Sequence, residues 1–147
     1  MSKIVSFVLL FVVFLVNVAI ASEESAGSLR KKKGEVLIER QGGTVKAEDG
    51  TPVYPSDTVR TGVDGSVGII FRDNSRISLG PNSRLDLKKF AFDPAQKRFS
   101  MVNRLAKGTA TFVSGKMTKL SPESVVLETP SSTIGVRGTT YHVKVDE

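Results

Sequence analysis

The one histidine of the 147-residue chain is His142, and there is no cysteine. That removes most familiar catalytic arrangements, because general acid–base work draws most often on histidine and zinc sites need several His or Cys ligands. His142 stands in an alternating run. It is expected on the solvent face of a strand with Thr140 and Lys144, opposite Tyr141, Val143 and Val145. No serine lies in the Gly-x-Ser-x-Gly pattern that presents a nucleophile on a sharp elbow. Asp57, Asp64 and Asp73 all adjoin turns, where a carboxylate accepts bonds from nearby amides. They could instead assemble a calcium site, but the alternate-aspartate loop such a site uses is missing. No catalytic residue, metal or cofactor is expected, and the protein is read as non-enzymatic.

Gly135, Val136, Arg137 and Gly138 are the remaining candidate for chemistry. Spaced glycines cradle phosphate when their loop runs into a helix whose N-terminus faces the anion. Here Thr139, Thr140, Tyr141, His142 and Val143 follow, residue types that favour a strand. The glycines are therefore expected to permit a positive φ or a close approach between two paired strands. Arg137 between them would bond carbonyls or a carboxylate.

Arg30, Lys31, Lys32 and Lys33 form the one dense basic run in a chain of net charge +6. Such a run reads as a solvated linker, or as a patch for phospholipid head groups, lipopolysaccharide or another anionic envelope surface. It follows a positively charged start at Lys3, an apolar stretch over residues 4–16 broken by Ser6, and the small residues Ala19 and Ala21. That layout is a secretory signal peptide cleaved after Ala21. Extended to Ile20, the stretch approaches the roughly 20 residues of a membrane span, so an uncleaved anchor is the alternative. The protein is expected in the periplasm or at the cell surface, or anchored in the inner membrane. An exported chain without basic–aromatic interleaving is not expected to bind nucleic acid. The domain plan is residues 1–21 as signal peptide or anchor, 22–33 as polar and basic linker, and 34–147 as one β domain.

The elements that must position these residues are strands. Val36 and Ile38, then Val67, Ile69 and Phe71, then Ile77 and Leu79, then Leu85 and Leu87 recur with period two. Gly42, Gly43, Asp49, Gly50, Asp64, Gly65, Asp73, Asn74, Gly80, Pro81, Asn82, Asp93 and Pro94 mark turns between them. The spacing predicts an all-β domain, an antiparallel sandwich or barrel-like fold. Phe90 and Phe92 fall out of phase with Leu85 and Leu87, which predicts a bulge near Lys88 and Lys89. Residues 93–97 read as a five- or six-residue hairpin loop. The best helical stretch, residues 102–106, is a single turn.

Thr129, Pro130, Ser131, Ser132, Thr133, Ile134, Gly135, Val136, Arg137, Gly138 and Thr139 resemble the signature of FecR domains, in which Thr-Pro leads to a terminal Arg-Gly-Thr. Three further segments are similar to the family in the right order. The first runs from Asp57 to Gly62; the second, from Phe71 to Ser83, contains Asp73, Leu79, Gly80 and Pro81; the third, Lys107 to Ala110, resembles the opening of the family's next strand. The resemblance spans residues 34–145 and implies the FecR β fold. Thr129, Pro130, Thr133, Ile134, Gly135, Arg137, Gly138 and Thr139 are then family motif residues, structural or open to interaction. Full-length FecR regulators place a cytoplasmic anti-sigma segment before a membrane span and receive a signal in the periplasm. Only Met1, Ser2 and Lys3 precede the apolar stretch here, so the expected role is binding of an envelope protein or glycan. The alternative is an anchored signal-sensing module. Family domains usually continue beyond the Arg-Gly-Thr strand, so residues 141–145 are expected to offer an open edge to a partner or, weakly, to a second copy.

Overall fold

The computed structural model describes residues 23–138 and 140–146. The expected signal peptide, residues 1–21, lies outside them. In chain order the elements are β1 (Gly27–Lys33), β2 (Val36–Arg40), β3 (Gly43–Lys46), β4 (Pro52–Val53), β5 (Thr58–Thr61), β6 (Ser66–Phe71) and β7 (Arg76–Leu79). Then come β8 (Arg84–Asp93), β9 (Arg98–Val113), α1 (Lys116–Leu120), β10 (Val125–Glu128), β11 (Thr133–Gly135) and β12 (Thr140–Val145). Strands make up 58% of the described residues and helix 9%, against the 20–25% strand of an ordinary globular domain, so the all-β expectation holds. The architecture is a curled antiparallel half-barrel.

One continuous path, β3-β2-β5-β8-β9-β7-β6-β1-β4, carries the sheet. Strand β9 is its spine. Its first part pairs antiparallel with β8 and parallel with β10, and its last part lies between β7 and β12. The change of neighbour occurs at Gly108, whose φ is +92°. A Cβ there would lie 2.1 Å from Ser83 Oγ and 2.5 Å from Ser83 Cα. Glycine is needed for its dihedral and for the close backbone approach.

The curl encloses one core. Leu29, Ile38, Val59, Ile69, Phe71, Ile77, Leu85, Leu87, Met101 and Leu105 are buried, each from the inward register of its strand. The predicted alternation holds in β2, β6, β7 and the first half of β8. A register shift between Leu87 and Lys89 is the expected bulge. It re-phases the strand, so that Phe90 and Phe92 pack against the core margin, Phe90 stacking on Phe71 at 5.6 Å.

Four expectations need correction. Residues 27–33 are no linker: β1 pairs with β6 and β4, and Ala26 and Leu29 are fully buried. The single apolar Leu29, with Ala26 and Gly27, is enough to seat the strand, while the lysines hide its period. The hairpin loop is shorter than expected, because Asp93 pairs with Arg98 and only residues 94–97 remain between them. Residues 102–106 are strand, and the short helix is α1. Finally, the strands on either side of Gly135 and Gly138 do not pair with each other: β11 lies on β10 and β12 on β9.

Candidate functional site

The turn carboxylates are each committed to a separate backbone. Asp73, fully buried, accepts bonds from Ser75 N (3.0 Å) and Ser75 Oγ (2.6 Å) through Oδ1. Its Oδ2 accepts from Met117 N at 3.1 Å, and its carbonyl accepts from Lys116 N at 2.8 Å. The N-cap of α1 is Gly115, which provides no side-chain cap, so this distant turn caps the helix instead. Gly115 is glycine because a Cβ would lie 2.3 Å from Ser75 N. Asp64 accepts from Glu35 N at 3.3 Å, at the β1–β2 junction.

Asp57, 2% exposed, takes a bidentate pair from Arg40, Nε to Oδ1 at 2.9 Å and a terminal nitrogen to Oδ2 at 2.8 Å. Oδ2 also accepts from Tyr54 N. The guanidinium lies 4.7 Å from the Tyr54 ring centre and donates to the Pro52 carbonyl. The hydrogen bond to Asp57 holds the Arg40 pKa above its ordinary value, against the opposing effect of burial. An open cleft of about 590 Å³ borders Arg40, Gln41, Tyr54 and Ser56. Its one strong cation is already spent on Asp57.

The segment from Gly80 to Ser83 fastens β7 to β8 and β9. Thr61 Oγ1 donates to the Gly80 carbonyl at 2.6 Å and accepts from Ser83 N at 2.9 Å. Ser83 Oγ accepts from Thr109 N at 2.9 Å. Asp57, Asp73 and the turn at residues 80–83 thus serve as fasteners of one sheet.

The signature at residues 129–139 divides in the same way. Thr129 N donates to the Ser132 carbonyl at 2.8 Å and closes a turn, with Pro130 exposed at its corner. Ile134 packs against the core from β11, and Thr133 faces solvent. Val136 is buried and donates to the Val125 carbonyl. Gly138 has the expected positive φ, +96°, and its carbonyl accepts from the Ser114 hydroxyl. Gly135 has no positive φ, and a Cβ there would meet nothing within 4 Å. Arg137 is exposed. Its charge is the least of the influences that hold the Glu123 carboxyl below the usual range, behind Glu123's own amide and the Ser121 hydroxyl. Thr139 lies outside the described residues. The loop is a strand junction whose amides and carbonyls are used locally, and no helix N-terminus follows it.

His142 is on the solvent face of β12 as expected, with Nδ1 3.0 Å from Thr111 Oγ1. Tyr141, Val143 and Val145 lean on the core from the other side. Among the described residues β12 pairs with β9 alone.

The basic cluster is where the structure adds most. Arg30, Lys31 and Lys33 line an open cleft of about 340 Å³ on the outer face of β1, β6 and β7, with Ser66, Gly68, Arg76 and Ser78. Lys32 is turned differently, and its backbone N donates to Asp49 Oδ1 at 2.8 Å. None of Arg30, Lys31, Lys33 and Arg76 forms an ion pair among the described residues. Arg76 and Gly68 escape sequence reasoning because they join the cluster only through strand pairing.

Fold and motifs together define an all-β domain whose polar turn residues fasten its sheet. A family model, FecR protein, matches residues 57–147. That is more than half of the chain, and the chain belongs to the FecR family. FecR proteins are a regulatory and signalling family and are generally envelope-associated. No curated protein and no solved structure matches the chain. Strands β1 to β4, which precede the matched region, complete the same sheet. Among the described residues no helix is long and apolar enough to cross a membrane.

Proposed function

We propose that this protein is a non-enzymatic, exported FecR domain that binds another component of the cell envelope, a protein or a glycan. One observation carries the reading. The polar motif residues Asp57, Asp73 and Ser83 are consumed in fastening the sheet, whereas four cations around the outer cleft have no ion-pair partner among the described residues. A surface with uncompensated charge is suited to holding a partner. A second reading starts from the signal-sensing role that family membership suggests, and proposes in addition that an uncleaved N-terminal segment anchors the module at the inner membrane.

The test expresses the full chain, determines its mature N-terminus by mass spectrometry, and uses it to capture envelope proteins and polysaccharides in parallel. A start at Ser22 together with capture that is lost in Arg30→Gln/Arg76→Gln supports the binding module. An intact N-terminus in the membrane fraction supports the anchored sensor. Failure to retain any protein or polysaccharide above a denatured control rejects the binding reading.

A further inference from the structure

We infer that the outer cleft of β1, β6 and β7 is a docking site for a linear anionic polysaccharide, one bearing carboxylate or phosphate groups along its length. The inference rests on the binding-module reading above and gives it a partner class. In a regular strand, neighbouring side chains alternate between faces. Strand β1 breaks that rule between Arg30 and Lys33, where its register against β6 shifts and Lys31 adopts a φ of +51°. A positive φ on a lysine is uncommon and costs energy. The Asp49 carboxylate, on the Lys32 amide, and the bond from Gly50 N to the Leu29 carbonyl hold the strand there. The consequence is that Arg30, Lys31 and Lys33 all line one cleft. Bulges are over-represented at sheet edges and next to active sites, where they re-aim a side chain.

The floor of the cleft points the same way. Arg30 pairs with Gly68, and Gly68 with Ser78, across the three strands. Gly68 has no positive φ, and a Cβ would sit 3.4 Å from the Arg30 carbonyl oxygen, an ordinary contact. The fold therefore accommodates a side chain there, and its absence keeps the floor open to a ligand. Ser66 and Ser78 flank it with hydroxyls, and Arg76 closes the far side. From strand spacing of ~4.8 Å and a rise of ~3.4 Å per residue, Arg30 and Arg76 are roughly 12 Å apart at Cα. Two planar guanidinium forks at that separation, with Lys33 level with Ser66 on the far side of Arg30, suit successive anionic groups on an extended hydroxyl-rich chain.

A bilayer surface fits less well. The cations surround a depression, and the exposed large apolar residues Val63, Val113 and Leu120 do not line it.

The experiment measures binding of protein produced from the full chain to a galacturonate oligomer by calorimetry. A neutral galactose oligomer of equal length and phosphatidylglycerol-containing vesicles run as separate arms. The galacturonate oligomer should bind, and more weakly as salt rises. Arg30→Gln/Arg76→Gln and Gly68→Val should each lose at least tenfold in affinity with little change in melting temperature. Asp49→Ala, which removes no cation, should also weaken binding by relaxing the bulge. Arg60→Gln, paired with Glu39 elsewhere on the sheet, should bind like wild type. Equal binding of the neutral oligomer, affinity unchanged in Gly68→Val, or preference for the vesicles would overturn the inference. Absent sugar binding together with cleft-dependent capture of an envelope protein would end the polysaccharide inference and leave the binding module standing.

Discussion

Replacing Gly108 by alanine should damage this protein far more than the same change at any glycine of a simple turn. Two costs combine there. The dihedral of +92° places an L-residue in strained territory, worth about 1–3 kcal/mol. The added Cβ would also meet Ser83 at Cα as well as Oγ, so rotation of the serine side chain cannot relieve it. Ser83 is buried and holds Thr109 N through its hydroxyl, and separating the strands loses that bond and its neighbours at about 1 kcal/mol each. The total is about 3–5 kcal/mol, a large part of the 5–15 kcal/mol that holds a typical domain together. Two controls separate the terms. Gly42→Ala carries a positive φ of +76° with nothing within 4 Å and should cost about 1 kcal/mol. Gly135→Ala carries neither burden and should lie within about 0.5 kcal/mol of wild type. Urea unfolding of the full chain followed by far-ultraviolet circular dichroism gives the order. If Gly108→Ala is no worse than Gly42→Ala, the account of β9 as a spine that changes partners at a crowded glycine is refuted.

Other outcomes follow from the same geometry. Arg40→Ala strands the buried Asp57 carboxylate with only the Tyr54 amide, and should cost about 2–4 kcal/mol in urea unfolding, somewhat below a fully buried pair because Arg40 is partly exposed. The hydrogen bond from Arg60 holds the Glu39 carboxyl below its ordinary pKa. Its stabilisation is therefore present at neutral pH and lost as acid carries the pH through that lowered value. Arg60→Gln should flatten this part of the acid stability profile, and an unchanged profile would discount the pair. Gly138→Val should destabilise by about 1–3 kcal/mol through its dihedral alone, and Arg137→Ala by less; equal midpoints would remove the special role of the junction. Self-association through the open side of β12 should appear as a concentration-dependent sedimentation coefficient, whereas a monomer at every concentration would confine that edge to other partners.

Much of this architecture is legible in the sequence because period-two alternation is a local property. Val67, Ile69 and Phe71 must share a face in any extended strand, and Leu85 with Phe90 cannot do so without a bulge. The solvent face of His142 and the turn roles of Asp57, Asp64 and Asp73 follow from residue type in the same way. Residue type does not tell Gly138, which has the positive φ, from Gly135, which does not. Pairing is not local. Sequence places Arg30 among lysines and Arg76 in another strand 46 positions on, and only β6, lying between β1 and β7, brings them to one cleft. The same holds for Asp73 and Met117, joined across 44 residues, and for Ser83 and Gly108. It also explains why β1 reads as a linker in the sequence alone. A strand with few apolar residues has almost no periodic signal of its own, and its place is decided by the free edge of β6 that its backbone amides and carbonyls can satisfy.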